Sequence, residues 1–449
     1  EDAQEAQVVV TNHALLAIDA IDGVPMLPEY DAVVVDEAHE LAARVTQAST
    51  AELSAEMVER VARRARTHAT DDYAVDDLSD AADTLVDVLT RTEEGRIDVP
   101  GQPLLDALAL VRDAARACLT TLKAKPGEGT SGEPDAGRQQ AQAMVEDVRV
   151  IAERMAAARE TEVLWLSDFR GNKQLHIAPI DVSAALREKL FGTRTVVLTS
   201  ATLMLGGGFD PVAASLGLSP GDDESWTGLD VGSPFDYARQ GMLYVAKHLP
   251  PPGRDGLGEA QIDEITALIE AAGGRTLGLF SSRRGAEAAA EQVRERLPDL
   301  DIWCQGDAQL PELARRFAET PSTCLFGTLS LWQGVDLPGE TCQLVIIDRV
   351  PFPRPDDPLM SARQRLVEKR GGNGFMTVAA QHAALLLAQG SGRLIRRATD
   401  RGVVAILDPR LVTARYGGFL VASLPPMWRT TDRDTVLKAL ARLDAAAAD

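Results

Sequence analysis

The sequence has no apolar run near the roughly 18 residues that a membrane-spanning helix needs, and its opening residues carry no signal-peptide pattern. The expectation is a cytoplasmic protein with no membrane partner. Cysteine is scarce: Cys118, Cys304, Cys324 and Cys342 are scattered, with no C-x2-C spacing. A zinc or iron–sulfur centre built from this chain is not expected; reduced, mostly buried thiols are. Lysine is nearly missing, with seven against 39 arginines. Base composition could cause that bias as readily as a need for planar, bidentate phosphate contacts. No repeat of the solenoid or propeller kind occurs. Nor does any Gly-Lys dipeptide, so the loop that cradles phosphates on backbone N–H groups and closes with Gly-Lys-Ser/Thr is not found here.

What the chain does have is size and an ordinary globular composition. Its 449 residues, 45% hydrophobic and 25% charged, suit two or three soluble domains. The formal charge of −21 argues against phosphate binding by the whole surface. Between Asp348 and Arg401, however, ten basic residues stand against five acidic ones.

The densest information lies in residues 31–41, DAVVVDEAHEL. Val33, Val34 and Val35 predict a buried strand of a parallel sheet. At its C-terminal end, where open α/β sheets bind ligands, stand Asp36 and Glu37. In a nucleotide hydrolase the first acid holds Mg²⁺ and the second orients or deprotonates the attacking water. Standing alone, the four letters DEAH could equally be a solvated acidic strand end.

Residues 51–160 then change character. Apolar residues recur at helical spacing, as in Leu104, Leu105, Leu108, Val111 and Ala115, and residues 123–138 (KAKPGEGTSGEPDAGR) predict a loop between two such helices. Strand-like runs at 163–166 and 175–178 lead back to a sheet, followed by another at 195–198. Beyond GSPFDY (232–237), strands are predicted at 242–246, 276–280, 301–304, 324–327, 343–348 and 403–407. Helices are predicted at 259–272, 284–297, 310–319 and 375–389. This alternation implies a second parallel, doubly wound domain.

In order along the chain stand TNHALL (11–16), VVVDEAHEL, LTSATL (198–203) and LGLFSSRRGAE (277–287). FGTLSLWQGVDLPGE (326–340), VIIDRVPFPRPDDPL (345–359) and QGSGRLIRR (389–397) follow. Taken together and in this order, they resemble the XPD/DinG family of superfamily-two DNA helicases, and most closely its bacterial DinG-like branch. The resemblance implies an α/β fold with two RecA-like parallel-sheet motor domains and a helical arch inserted in the first. The C-terminal part of motor domain 1 would occupy 1–45 and 162–235, the arch 46–161 and motor domain 2 236–449.

The resemblance also implies roles. Asp36 would coordinate magnesium and Glu37 would activate water. His39 would link the nucleotide to Ser200 and Thr202, which couple nucleotide state to DNA. Arg393 and Arg396, three apart after Gly392, would act as arginine fingers, and Gln389 would contact the nucleotide or its coupling network. Gly334 and Asp336 would approach the ATP, while Gln333 replaces a glutamate common in relatives. Asn12, His13, Ser281, Ser282, Arg283 and Trp332 are the DNA-binding candidates. Core packing competes for Trp332, and a structural role for His13. The implied cofactors are ATP and Mg²⁺, and the implied partner is single-stranded or forked DNA, bound by a monomer that acts 5′ to 3′ in DNA repair.

The chain opens on Glu1 rather than methionine and enters a strand-like run, Val8 to Val10, almost at once. A piece of a longer protein is therefore expected. The phosphate loop, and the cysteine quartet that holds a [4Fe–4S] cluster in many family members, would precede Glu1. Alone, the chain should hydrolyse ATP weakly or not at all, and its first motor domain should expose a sheet edge. Two alternatives remain: an ATPase-inactive module that binds DNA or a partner, and a DEAH-type RNA helicase. The arch-sized insertion and the PFPRP run (351–355) count against the second.

Overall fold

A computed structural model describes residues 2–21, 23–122, 136–192, 194–218, 226–253, 256–320, 322–328 and 342–448. Two units interleave along the sequence. The first comprises Glu1–Val35, Glu40–Leu198 and Arg354–Gly371, the second Asp36–His39, Thr199–Pro353 and Gly372–Asp449.

In the first unit the strands are β1 (Ala32–Val35), β2 (Ala51–Leu53), β3 (Gly95–Ile97), β4 (Glu162–Phe169), β5 (Asn172–Pro179) and β6 (Thr195–Leu198). β1 and β6 form a two-stranded parallel sheet. The expected burial of the valine strand does not hold: Val35 is buried, but Val34 is 69% and Val197 52% exposed. Successive side chains alternate between the two faces of a strand, and one face of this pair stays open. Val8–Val10 forms no strand, and Val8 and Val10 are exposed.

The strands expected at 163–166 and 175–178 form, as β4 and β5. They are a hairpin in a separate antiparallel sheet of order β2-β5-β4-β3, whose outer strands are too short to signal themselves in sequence. Four helices, Ala55–Arg66, Asp72–Arg91, Gln102–Thr121 and Ala136–Ala157, pack with it around one core. The first shows why a helix forms there. Ser54 caps it by accepting from the Met57 backbone N–H at 3.1 Å, Glu56 lies in the first turn, and Arg63, Arg64 and Arg66 lie in the last. Charges so placed oppose the helix dipole favourably, while Val58, Val61, Ala62 and Ala65 bury one face. Leu104, Leu108, Val111 and Ala115 are buried as their spacing predicted, with Leu105 half-buried. Of the predicted loop, 123–135 lies outside the described residues and 136–138 is already helical. A helix that follows later in the chain, Pro358–Lys369, also belongs to this unit. Its Ala362 packs with Val163 and Ile180, and Arg363 Nε donates to the Ile180 carbonyl at 2.8 Å.

The second unit holds a seven-stranded, wholly parallel sheet. Its strands are β7 (Gly241–Val245), β8 (Thr276–Phe280), β9 (Asp301–Cys304), β10 (Thr323–Thr328), β11 (Leu344–Ile347), β12 (Gly402–Ile406) and β13 (Trp428–Thr430). Their order is β13-β7-β12-β11-β8-β10-β9. Every residue of β8, β11 and β12 is buried, the pattern that predicted them. Gly278 pairs with Phe326 across the sheet, and a Cβ there would lie 2.6 Å from the Phe326 ring. One face packs Tyr244, Phe326, Ile346 and Val403 against helices Glu259–Ala271, Arg283–Arg296 and Arg433–Ala448. The alternate residues Leu279, Val345, Val404 and Ile406 are buried on the other face. The predicted 375–389 helix is one turn of π-helix, Phe375–Ala380, running into the α-helix Gln381–Ser391.

Candidate nucleotide site

Asp36, Glu37 and His39 leave β1 on a tight turn. Asp36 Oδ1 accepts from the Glu37 backbone N–H at 2.9 Å, and Glu37 takes φ +49°, left-handed for a non-glycine residue. Such a conformation costs energy and collects at functional sites. The Ala38 N–H donates to the Thr199 carbonyl at 3.1 Å, pinning this turn against the SAT segment.

That pinning assembles a hydrogen-bonded chain inside the second unit. Gln389 Nε2 lies 2.6 Å from His39 Nε2. His39 Nδ1 lies 2.8 Å from Ser200 Oγ and 3.0 Å from Thr202 Oγ1. Ser200 Oγ donates to Glu37 Oε2 at 2.9 Å. In the tautomer that lets the Gln389 amide donate to Nε2, the ring carries its proton on Nδ1. That proton points at Ser200 and Thr202, which frees the Ser200 hydroxyl proton for Glu37. The His39 side chain is 3% exposed and that of Glu37 59%: the histidine is buried, Ser200 and Gln389 are half-buried, and the carboxylate end is open.

The arginines follow the same helix. Burial pushes the Arg393 guanidinium below its ordinary range, and the charge of Glu37 pulls it back, so the acid and the first arginine share one electrostatic neighbourhood. Burial likewise lowers Arg396, against the opposing charge of Asp400. Both remain cations, since arginine is not deprotonated in proteins. Gly392 caps the helix, and a Cβ there would press the Ala388 carbonyl at 3.2 Å.

Two positioning residues escaped the sequence reading. Asp400, 3% exposed, accepts the backbone N–H groups of Arg396 and Arg397 on Oδ2, each at 2.8 Å. Gln240 Nε2 donates to the carbonyls of Arg397, Ala398 and Asp400 at 3.0–3.1 Å. Asp400 lies three residues beyond Arg397, a spacing at which aspartate commonly closes a turn, and that was the available signal.

The DNA-binding candidates are engaged in structure. Ser281 donates its N–H and hydroxyl to Asp348, each at 2.9 Å. Ser282 caps its helix, accepting from Gly285 N–H at 3.0 Å. Arg283 is 66% exposed and pairs with Glu287 at 2.8 Å. In the first unit Asn12 caps helix His13–Ala20 through Leu15 N–H at 2.8 Å, and His13 is half-buried. Trp332, Gln333, Gly334 and Asp336 lie outside the described residues.

Magnesium binds through one or two carboxylates and completes its shell with phosphate oxygens and water. The exposed Asp36 with Glu37 beside it fits that donor set. The four cysteines do not fit an iron–sulfur cluster. All are buried, one in the first unit and three in the second, with thiols pushed up by burial. No described helix is long and apolar enough to cross a membrane.

The family model for the helicase C-terminal domain matches residues 265–427. The ATP-dependent helicase DinG of Mycobacterium tuberculosis (strain H37Rv) is 51% identical over 98% of this chain and 68% of its own length. The ATP-dependent DNA helicase YoaA of Escherichia coli K12 is 31% identical over 98% and 70% respectively. The solved structure of S. tokodaii Xpd4 shares the fold at a TM-score of 0.60, with 15% identity, covering 93% of this chain and 81% of its own. Ordered motifs, a parallel-sheet unit carrying the acid–histidine–arginine site, and close relatives along the whole chain agree: this chain belongs to the XPD/DinG family of ATP-dependent DNA helicases.

Proposed function

We propose that the chain supplies the hydrolytic and DNA-coupling residues of a motor that moves 5′ to 3′ on single-stranded or forked DNA. The observation that carries this is the continuous chain Gln389–His39–Ser200–Glu37. It connects the Glu37 carboxylate to the SAT segment and to the helix Gln381–Ser391, which Arg393 and Arg396 follow.

Asp36 would hold Mg²⁺, which would supply charge neutralisation and orientation at the phosphates. Glu37 takes the proton of the attacking water on its open oxygen, while Ser200 fixes the other. Arg393 and Arg396 face the charge that spreads over the transferring phosphoryl oxygens. Departure of the cleaved phosphate would be felt at Glu37 and passed through Ser200 and His39 to Gln389. Ser281, Ser282 and Arg283 position the DNA backbone at the C-terminal end of β8. The domain division reads as motor domain 1 in 1–45 and 162–235, arch in 46–161 and motor domain 2 in 236–449. The protein works as a cytoplasmic monomer in DNA repair. Named ATP-dependent helicases along 98% of the chain weigh against an ATPase-inactive module.

The test is ssDNA-stimulated ATP hydrolysis by this chain joined to the part of the Mycobacterium tuberculosis relative that it does not match. Stimulated turnover that disappears in Glu37→Gln supports the reading; undiminished turnover in that variant refutes it.

A further inference from the structure

Three aromatic residues that the site above does not use meet at the C-terminal edge of the parallel sheet. Phe352 follows β11, Tyr416 follows β12, and Phe375 opens the π-helical turn. Their ring centroids are mutually 5.3 Å apart, inclined by 45°, 88° and 52°. The aromatics of the sheet core are sealed, with Tyr244, Phe280 and Phe326 at 0–1% exposure. This cluster instead opens outward: Phe375 is 36% exposed, and Phe352 and Tyr416 are half-buried.

Positive charge is built around it. Arg410 lies over the Phe352 ring at 5.7 Å. It is held there by Asp408, fully buried, which accepts Nε at 2.9 Å and Nη2 at 2.7 Å. Asp408 also accepts the Val350 N–H at 2.9 Å, so the same carboxylate orients both the arginine and the strand exit that delivers Phe352. Arg415, beside Tyr416, is exposed. Asp348, four residues before Phe352, binds Ser281, bringing the hydroxyl- and guanidinium-bearing segment to the same edge. Partly exposed aromatic rings flanked by arginines suit a nucleobase with its phosphates, because every base has a π-face. A merely structural cluster needs neither an open ring nor the buried carboxylate that aims Arg410.

We propose that Phe352, Phe375 and Tyr416 form a stacking platform for a base of single-stranded DNA, with Arg410 and Arg415 serving its phosphates. This rests on the DNA-helicase reading. The platform is also continuous with the relay, since Phe375 and Gln389 stand on one helical segment, Phe375–Ser391. About 14 residues at ~1.5 Å each separate base from histidine contact by roughly 20 Å.

The experiment uses the full chain, with oligo-dT and the same oligonucleotide carrying abasic sites, followed by fluorescence anisotropy. Wild type should prefer oligo-dT, and Phe375→Leu, which keeps an apolar side chain without a π-face, should lose about tenfold in oligo-dT affinity. Its affinity for the abasic strand and its unfolding midpoint should not change. Phe352→Leu should show the same selective loss. A 2-aminopurine in the strand should be quenched on wild type and less so on Phe375→Leu. Undiminished preference for bases in both variants would overturn the platform while leaving DNA binding intact. Equal loss on both strands would overturn it too, assigning the rings to folding. No ssDNA binding by wild type would overturn both the platform and the DNA reading of this chain.

Discussion

Gln389 Nε2 lies 2.6 Å from His39 Nε2, joining residues 350 positions apart in the chain. A Gln389 amide that donates here favours the tautomer protonated on Nδ1, the one consistent with Ser200 Oγ donating to Glu37. Gln389→Leu fills similar space without a donor. The neutral Nε2–H tautomer should then gain population, and Ser200 should lose its orientation toward Glu37. Loss of this hydrogen bond should cost about 1 kcal/mol. Imidazole ¹⁵N shifts read the tautomer directly; an unchanged Nδ1–H population in the variant would remove Gln389 from the relay.

Turnover by the unextended chain should be weak or absent, since none of its residues forms a Gly-Lys-Ser/Thr loop. In the joined protein, Glu37→Gln should lower kcat by a factor on the order of 10²–10⁴ with little effect on KM, the mark of a group acting in the transition state. A loss confined to KM would mean that Glu37 binds substrate without activating water.

Asp400→Ala should release the loop after the arginines. Two backbone N–H groups lose their acceptor, and the cost should be about 2–4 kcal/mol. Urea unfolding of the whole chain measures it, and a change under 0.5 kcal/mol would show that the loop holds without the carboxylate. Asp400→Asn, which keeps an acceptor oxygen, should recover most of the loss.

Burial pushes the thiols of Cys118 and Cys304 up to about 11, and those of Cys324 and Cys342 up to about 12, against an ordinary 9.0. The folded values lie above the unfolded one, so the native chain keeps protons that the unfolded chain releases. Their contribution is complete below pH 9 and is lost as pH rises through about 11 to 12. Stability should fall across that window, and Cys324→Ser should flatten the fall. At pH 8 the native thiols should resist alkylation that the denatured chain undergoes quickly; rapid native labelling would place a thiol at the surface.

The doubly wound half of the fold was readable because β8, β11 and β12 are covered on both faces, and such strands write themselves as unbroken apolar runs. The same rule misled at β1, where Val34 and Val197 face outward: three valines look alike whether or not a layer covers them. β2 and β3, three residues each, left no periodicity, so the antiparallel sheet they complete around the hairpin could not be read. At the site, Asp36, Glu37, His39 and the arginines were legible from motif order. Asp400 was not, since a buried carboxylate and a solvated one have the same letter. Phe352, Phe375 and Tyr416 are brought together by strand exits and a helix start, which no local pattern encodes.

The two units cross along the chain five times, and this governs how the protein is born. Asp36 to His39 leave the ribosome before their partners: Ser200 follows His39 by 161 residues and Gln389 by 350. At about 5–20 residues per second, the nascent turn waits roughly 20–70 seconds for the glutamine that orients its histidine. The relay is thus complete only after Gln389 emerges, and a ribosome that stalls before it releases a polypeptide with Asp36 and Glu37 and no relay.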